Sequence, residues 1–216
     1  MQMMISAIAR KGLLCIAAMT ISLVAQTRIS IETEAGVIEA TLDDQKAPTT
    51  VANFLKYVDA GQYDGAEFFR TVRSSPDNQP KSPIKIDVIQ AQLSSAPQPA
   101  AQPAARGKSF GPIPLERTSD TGLKHLNGSL SMARNTPDSA TSSFSICIGD
   151  QSEMDFGGRR NADGQGFAVF GRVTSGMETV RKIHASPSGP TAAKEGVSAG
   201  DQRLTPAIKI LSVRRK

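Results

Sequence analysis

The chain has no tryptophan, two cysteines, two histidines and two tyrosines in 216 residues, and aromatic residues make up only 5% of it. A core without large rings must rest on Ile, Val, Leu, Phe and Ala. The 39% hydrophobic and 21% charged content suits one globular domain with some extra segments. Scarce histidine and cysteine exclude much chemistry. His125 and His184 have no partner at metal-ligand spacing, and each reads as a surface or structural residue. No Gly-x-Ser-x-Gly elbow occurs, and Gly164-x-Gly166 is a glycine pair outside any phosphate-loop frame, so neither metal nor cofactor is expected. The formal charge of +5 is mild and its basic residues are scattered, which argues against a nucleic-acid partner. Arg159–Arg160 and the C-terminal Arg-Arg-Lys read as solvated surface. No heptad or long apolar edge points to an oligomer, and a monomer is expected.

Residues 1–26 stand apart. Arg10 and Lys11 precede an uncharged apolar run from Gly12 to Ala25, shorter than the roughly 20 residues a membrane span needs. The pattern is that of a secretory signal peptide cleaved near Ala25 or Gln26, with an uncleaved anchor as the alternative. The expected product, residues 27–216, is an exported, periplasmic protein without a stable membrane span. Only Cys147 survives that cleavage, so no internal disulfide forms; set between Ile146 and Ile148, it reads as core.

Short alternating runs dominate the remainder. Ile29, Ile31 and Thr33 form one, and Val37, Glu39 and Thr41 another in the opposite phase; Glu34-Ala35-Gly36 turns between them. Pro48 opens a helix whose Val51, Phe54, Leu55 and Val58 share one face, and Gly61 stops it. Strands follow over 66–73 and 86–90, separated by a Pro- and Ser-rich connector. In the first, plain alternation sets Phe68 and Arg70 on one face and Phe69 and Thr71 on the other. Arg70 is then either a surface residue with its stem on a ring or a donor at the rim of an apolar groove. Residues 94–107 are a low-complexity Pro/Ala stretch, read as an exposed, mobile insertion within the domain. Strands at 129–132 and 144–148 flank a polar loop rich in turn formers, a suitable wall for a groove. A glycine-rich excursion (154–166), a strand (166–173), a short helix marked by Met177, Val180 and Ile183, and a strand over 206–214 complete the chain. About eight short strands with two helices suggest a closed barrel or a sandwich.

FFRTV, VIQ, GSLSMAR with SATSSFSIC, and GFAVFGRV occur in the order found in the cyclophilins, and the chain resembles that family over roughly residues 28–214. The resemblance implies a mainly β fold, an eight-stranded antiparallel closed barrel capped by two helices. It also implies peptidyl-prolyl cis-trans isomerase activity on proline-containing segments of unfolded or exported proteins. Arg70 matches the family's catalytic arginine and Gln90 the glutamine that holds it and the substrate carbonyl. Ala133 and Arg134 match the edge that pairs with the substrate backbone. Phe69, Val88, Ser143, Ser145, Met154 and Phe167 complete the implied substrate-binding set.

The departures concern the proline pocket. Ser145 replaces a phenylalanine, Ser143 a glutamine, Asp87 an aromatic and Glu153 a tryptophan or other aromatic, while Phe167 stands where histidine is frequent. Apolar contact with the proline ring should fall at Ser145 and Asp87, with Phe156 or Phe167 available to refill the gap. Arg70 and Gln90 favour a working isomerase of reduced activity. Ser145 and Asp87 favour the alternative, a cyclophilin-fold peptide-binding module or chaperone.

Overall fold

The computed structural model describes residues 26–94, 109–189 and 202–216. All but the last residue of the 1–26 signal-peptide reading, and all but the first of the 94–107 insertion, lie outside them. Eight strands form a closed, wholly antiparallel barrel: β1 Arg28–Thr33, β2 Gly36–Leu42, β3 Glu67–Val72, β4 Val88–Gln92, β5 Ser129–Met132, β6 Phe144–Cys147, β7 Val169–Ser175 and β8 Arg203–Arg215. Their order around the barrel is β1-β2-β7-β5-β6-β4-β3-β8. Closure removes the free edges an open sheet would expose.

The β1–β2 hairpin turns as its residues dictate. Thr33 Oγ1 accepts from the Ala35 and Gly36 amides at 3.1 Å each. Gly36 has φ +140°, and a Cβ there would lie 2.6 Å from Thr179 Oγ1, so a larger residue would be strained and would displace the Thr179 side chain. In β2 the inward residues are Ile38, Ala40 and Leu42, and Val37 is exposed.

Helix α1 (Pro48–Asp59) has no capping side chain of its own. Glu116, distant in sequence, accepts from the Thr49 and Thr50 amides at 3.0 and 2.8 Å and supplies the negative charge a helix start favours. Gly61, with φ +64°, lies just beyond the helix end. Phe54 carries the buried face, its ring 5.4 Å from Phe144, 5.2 Å from Phe170 and 5.1 Å from Tyr63. These rings anchor a core otherwise made mainly of Ile, Val, Leu and Ala. Two helical pieces have no counterpart in the sequence reading: α2 (Thr118–Thr121) and a 3-10 turn over Ser152–Met154. Helix α3 (Met177–His184) buries Val180 and Ile183. It places Thr179 over Gly36, the end of β2 opposite the one that leads to α1, so α1 and α3 close opposite ends of the barrel.

One correction concerns β3. Its pairing with β4 shifts register between Phe68 and Arg70, with Phe68 opposite Ala91 and Arg70 opposite Gln90. Phe69 is therefore the extra residue of a bulge, which breaks the two-residue alternation. Phe68 points into the core, and Arg70 points out of the barrel into a groove.

Candidate active site

The outer faces of β3, β4, β5 and β6 carry a groove of about 470 Å³. Beneath it lies a small apolar cluster separate from the barrel core: Val72, Ile86, Val88, Cys147 and Met154, with Phe167 packed against it. Strand alternation produces it. Val88 and Cys147 face outward while their neighbours Ile89 and Ile146 face the core. Cys147 is fully buried, and burial pushes its thiol up to about 12, so it acts as a small hydrophobe.

Arg70 and Gln90 are directly opposed on β3 and β4. Arg70 Nη1 donates to Gln90 Oε1 at 2.8 Å; Nε and Nη2 donate to Gln202 Oε1 at 2.9 and 2.5 Å. Three of its five N–H groups are thus committed, and the other two make no bond to a described residue. Burial, and then the charge of Arg160, lower the Arg70 pKa to about 10, which leaves it protonated at neutral pH. Gln90 Nε2 donates to Ser143 Oγ at 3.1 Å, and Ser143 Oγ donates to the Ala91 carbonyl at 2.7 Å. Where the resemblance leads one to look for a glutamine, Ser143 fixes the Gln90 amide instead.

On the opposite wall, Arg134 lies flat under its contacts. Its Nε donates to the Gly166 carbonyl at 2.7 Å, its two terminal nitrogens pair with Asp163 at 2.7 and 2.9 Å, and its guanidinium sits 5.2 Å from the Phe167 ring centre. The Ala133 amide donates to the Ser143 carbonyl at 2.9 Å. Below this wall His125 is buried, Nδ1 at 2.7 Å from Asp155 Oδ1 and Nε2 at 2.9 Å from Ser131 Oγ. With Ser131 almost wholly buried, this arrangement is a structural brace for the 3-10 turn that carries Met154.

Of the ten residues singled out from sequence, nine line the groove together: Arg70, Gln90, Val88, Ala133, Arg134, Ser143, Ser145, Met154 and Phe167. Phe69 does not; as the bulge residue it turns aside, with Arg203 5.7 Å above its ring. Asp87 is also outside, where it accepts from the Ser74 amide and hydroxyl at 2.9 and 2.6 Å. Its neighbour Ile86 supplies apolar wall instead, so of Asp87 and Ser145 it is Ser145 that thins the pocket. Phe156 is exposed and refills nothing, whereas Phe167 lines the groove.

Sequence reasoning missed two residues. Gln202 holds Arg70 from 132 positions away, and nothing local marks it. Arg160 was read as solvated, yet its Nη1 donates to Gln79 Oε1, Ser82 Oγ and the Ile84 carbonyl at 3.0, 2.8 and 2.7 Å. It lines the groove and pins the 74–85 connector beside it. Among the described residues, no group of three or more His, Cys, Asp or Glu is placed to hold a metal ion.

The cyclophilin type peptidyl-prolyl cis-trans isomerase/CLD family profile matches residues 28–215. The chain is 37% identical over 158 residues to peptidyl-prolyl cis-trans isomerase A of Dickeya dadantii, covering 73% of this chain and 70% of that protein. It is 32% identical over 178 residues to a peptidyl-prolyl cis-trans isomerase of Streptomyces antibioticus, covering 78% and 90%. A Cryptosporidium parvum cyclophilin type peptidyl-prolyl cis-trans isomerase, crystallised in the presence of the dipeptide Ala-Pro, superimposes with a TM-score of 0.60 at 19% identity. That match covers 86% of this chain and 96% of the other and bears on the fold alone.

Proposed function

The chain belongs to the cyclophilin-type peptidyl-prolyl cis-trans isomerase family, and from that premise we propose that Arg70 and Gln90 are the pair through which it catalyses Xaa-Pro isomerisation. Rotation about a peptide bond faces a barrier of about 18–20 kcal/mol because the C–N bond is partly double. Twisting to the halfway state takes that conjugation away and leaves a lone pair on the prolyl nitrogen. A donor that meets the lone pair only there lowers the barrier without any bond being made or broken, since it binds the twisted state better than either planar one.

Arg70 has the required attributes. It is charged, largely buried, held in place by two glutamines, and keeps two N–H donors that bond no described residue. Gln90, fixed by Ser143, orients it and offers its amide to the substrate carbonyl. Val88, Met154 and Phe167, with Ile86, receive the proline ring, and the 133–134 edge takes the substrate backbone. Ser145 leaves part of that receptacle without apolar contact, and activity is accordingly modest. The single observation that carries this reading is the opposed Arg70–Gln90 pair above an apolar floor.

The natural substrates in this reading are proline-containing segments of unfolded exported proteins, met in the periplasm after removal of residues 1–26. The sequence pattern of residues 1–26 supports export, and no helix among the described residues is long and apolar enough to cross a membrane. NMR exchange spectroscopy on an Ala-Pro peptide tests the catalytic reading. A substoichiometric amount of protein should produce cis–trans exchange peaks. Peptide shift changes without exchange would instead make the chain a binding module.

A further inference from the structure

Among the described residues three guanidinium groups line the groove, and one of them is neutralised by a described acid. Arg134 is paired with Asp163. Among the described residues Arg70 and Arg160 meet neutral acceptors alone, and no described residue lining the groove is Asp or Glu. Acids close by in the chain or the fold have other partners: Asp163 pairs with Arg134 at 2.7 Å, Glu153 with Arg159 at 2.6 Å and Asp77 with Lys85 at 2.7 Å, while Asp87 accepts from Ser74.

The two adjacent arginines divide sharply. Arg159 is exposed and paired, whereas Arg160 is turned into the groove wall. All three of its side-chain bonds leave from Nη1, so the Nε and Nη2 hydrogens carry no bond to a described residue. Burial lowers the pKa of both unpaired guanidinium groups, and the charge of Arg160 lowers that of Arg70 further. An anion in the groove would offset both desolvated charges, and a bond from guanidinium to carboxylate is the strong kind.

We propose that the groove selects proline segments bearing an acidic side chain next to the isomerised bond, and that Arg160 is the residue that reads it. This specificity rests on the isomerase reading above. A neutral carbonyl can also accept from Arg160, so the discriminating comparison is glutamate against its uncharged isostere.

Acetylated and amidated peptides with Glu or Gln immediately before or after proline, corrected for their uncatalysed rates, provide the test. For the wild-type protein, kcat/KM should favour Glu over Gln by about fivefold or more at one position, expressed mainly in KM and shrinking with added salt. The preference should persist in Arg160→Lys, vanish in Arg160→Gln, and turn towards lysine-bearing peptides in Arg160→Glu. A neutral peptide with a free C-terminal carboxylate, run in parallel, separates a side-chain anion from a terminal one. If it shows the same gain, the side-chain assignment fails. Equal Glu and Gln values at both positions, with isomerisation intact, overturn the specificity and leave the isomerase reading standing. A preference that survives Arg160→Gln overturns the assignment to Arg160. If no peptide is isomerised, the isomerase reading fails. Glu and Gln peptide affinities by calorimetry then decide the anion preference alone, and equality overturns it.

Discussion

Arg70 and Gln90 sit opposite each other on neighbouring strands, and Arg70 Nη1 donates to Gln90 Oε1 across the ladder at 2.8 Å. A glutamine accepts from the guanidinium without neutralising it, so the arginine is oriented but keeps its charge for a substrate. Gln90→Leu retains the volume and removes the acceptor, freeing the Arg70 fork on that side. Its kcat/KM for an Ala-Pro peptide should fall by roughly tenfold or more, the scale of one charged hydrogen bond. Unchanged kinetics would assign the orientation of Arg70 to Gln202 alone.

That pair also marks how far sequence reasoning reached. Local patterns marked about eight short strands and one amphipathic helix and left barrel or sandwich open; the family resemblance supplied the closed barrel, since strands such as β5 and β6, buried along their whole length, carry no alternation to read. Nine of the ten residues singled out line one groove, eight of them because four motif blocks run along adjacent strands, and Met154 from the 3-10 turn beside them. What failed depended on long-range geometry. The bulge at Phe69 is a register event between strands, and one inserted residue reversed the face assigned to Arg70 relative to Phe68. Asp87 missed the groove and Ile86 entered it for the same kind of reason, since the chain leads into β4 from a connector whose path no local pattern fixes. Arg160 and Arg159 look alike in sequence; only acceptors 76 to 81 positions away turn one of them inward.

Ser145 is the thin place in the pocket wall. It faces the groove between Gln90 and Ser131, beside apolar residues that a phenyl ring would join. Burying a Phe side chain contributes about 1.5–3 kcal/mol. Ser145→Phe should therefore raise kcat/KM for Ala-Pro peptides by about tenfold, with the gain in KM. No gain, in a variant whose melting temperature is unchanged, would show that proline does not rest against this wall.

Cys147 lies beneath the groove with its thiol pushed up to about 12 by burial. At pH 8 it should resist a thiol reagent in the folded protein and react fully in denaturant, as followed by mass analysis of the peptide that carries it. Rapid labelling of the native protein would mean that the floor of the groove opens to solvent.

His184 joins the same region from below, its Nε2 3.0 Å from the Val72 carbonyl and Asp87 3.5 Å away. Burial dominates and lowers its pKa below 6.5, against the opposing pull of Val72 and Asp87; Arg73 adds to the lowering. The unfolded chain thus binds this proton more readily than the folded one. The stability tied to neutral His184 is fully present above about pH 6.5 and is lost as pH falls through the lower folded value. Urea midpoints should drop over that window, and His184→Gln should flatten the drop. A midpoint that rises on acidification from pH 6.5 would contradict the sign.

The central claim is that Arg70 favours the twisted peptide bond over the planar one, and Arg70→Ala tests it when binding and turnover are measured together. Affinity for an Ala-Pro peptide should change by no more than a few-fold, while the NMR exchange rate at saturating peptide falls by about 100-fold or more. Loss of affinity and rate in equal proportion would contradict the account, because Arg70 would then hold the ground state as tightly as the twisted one.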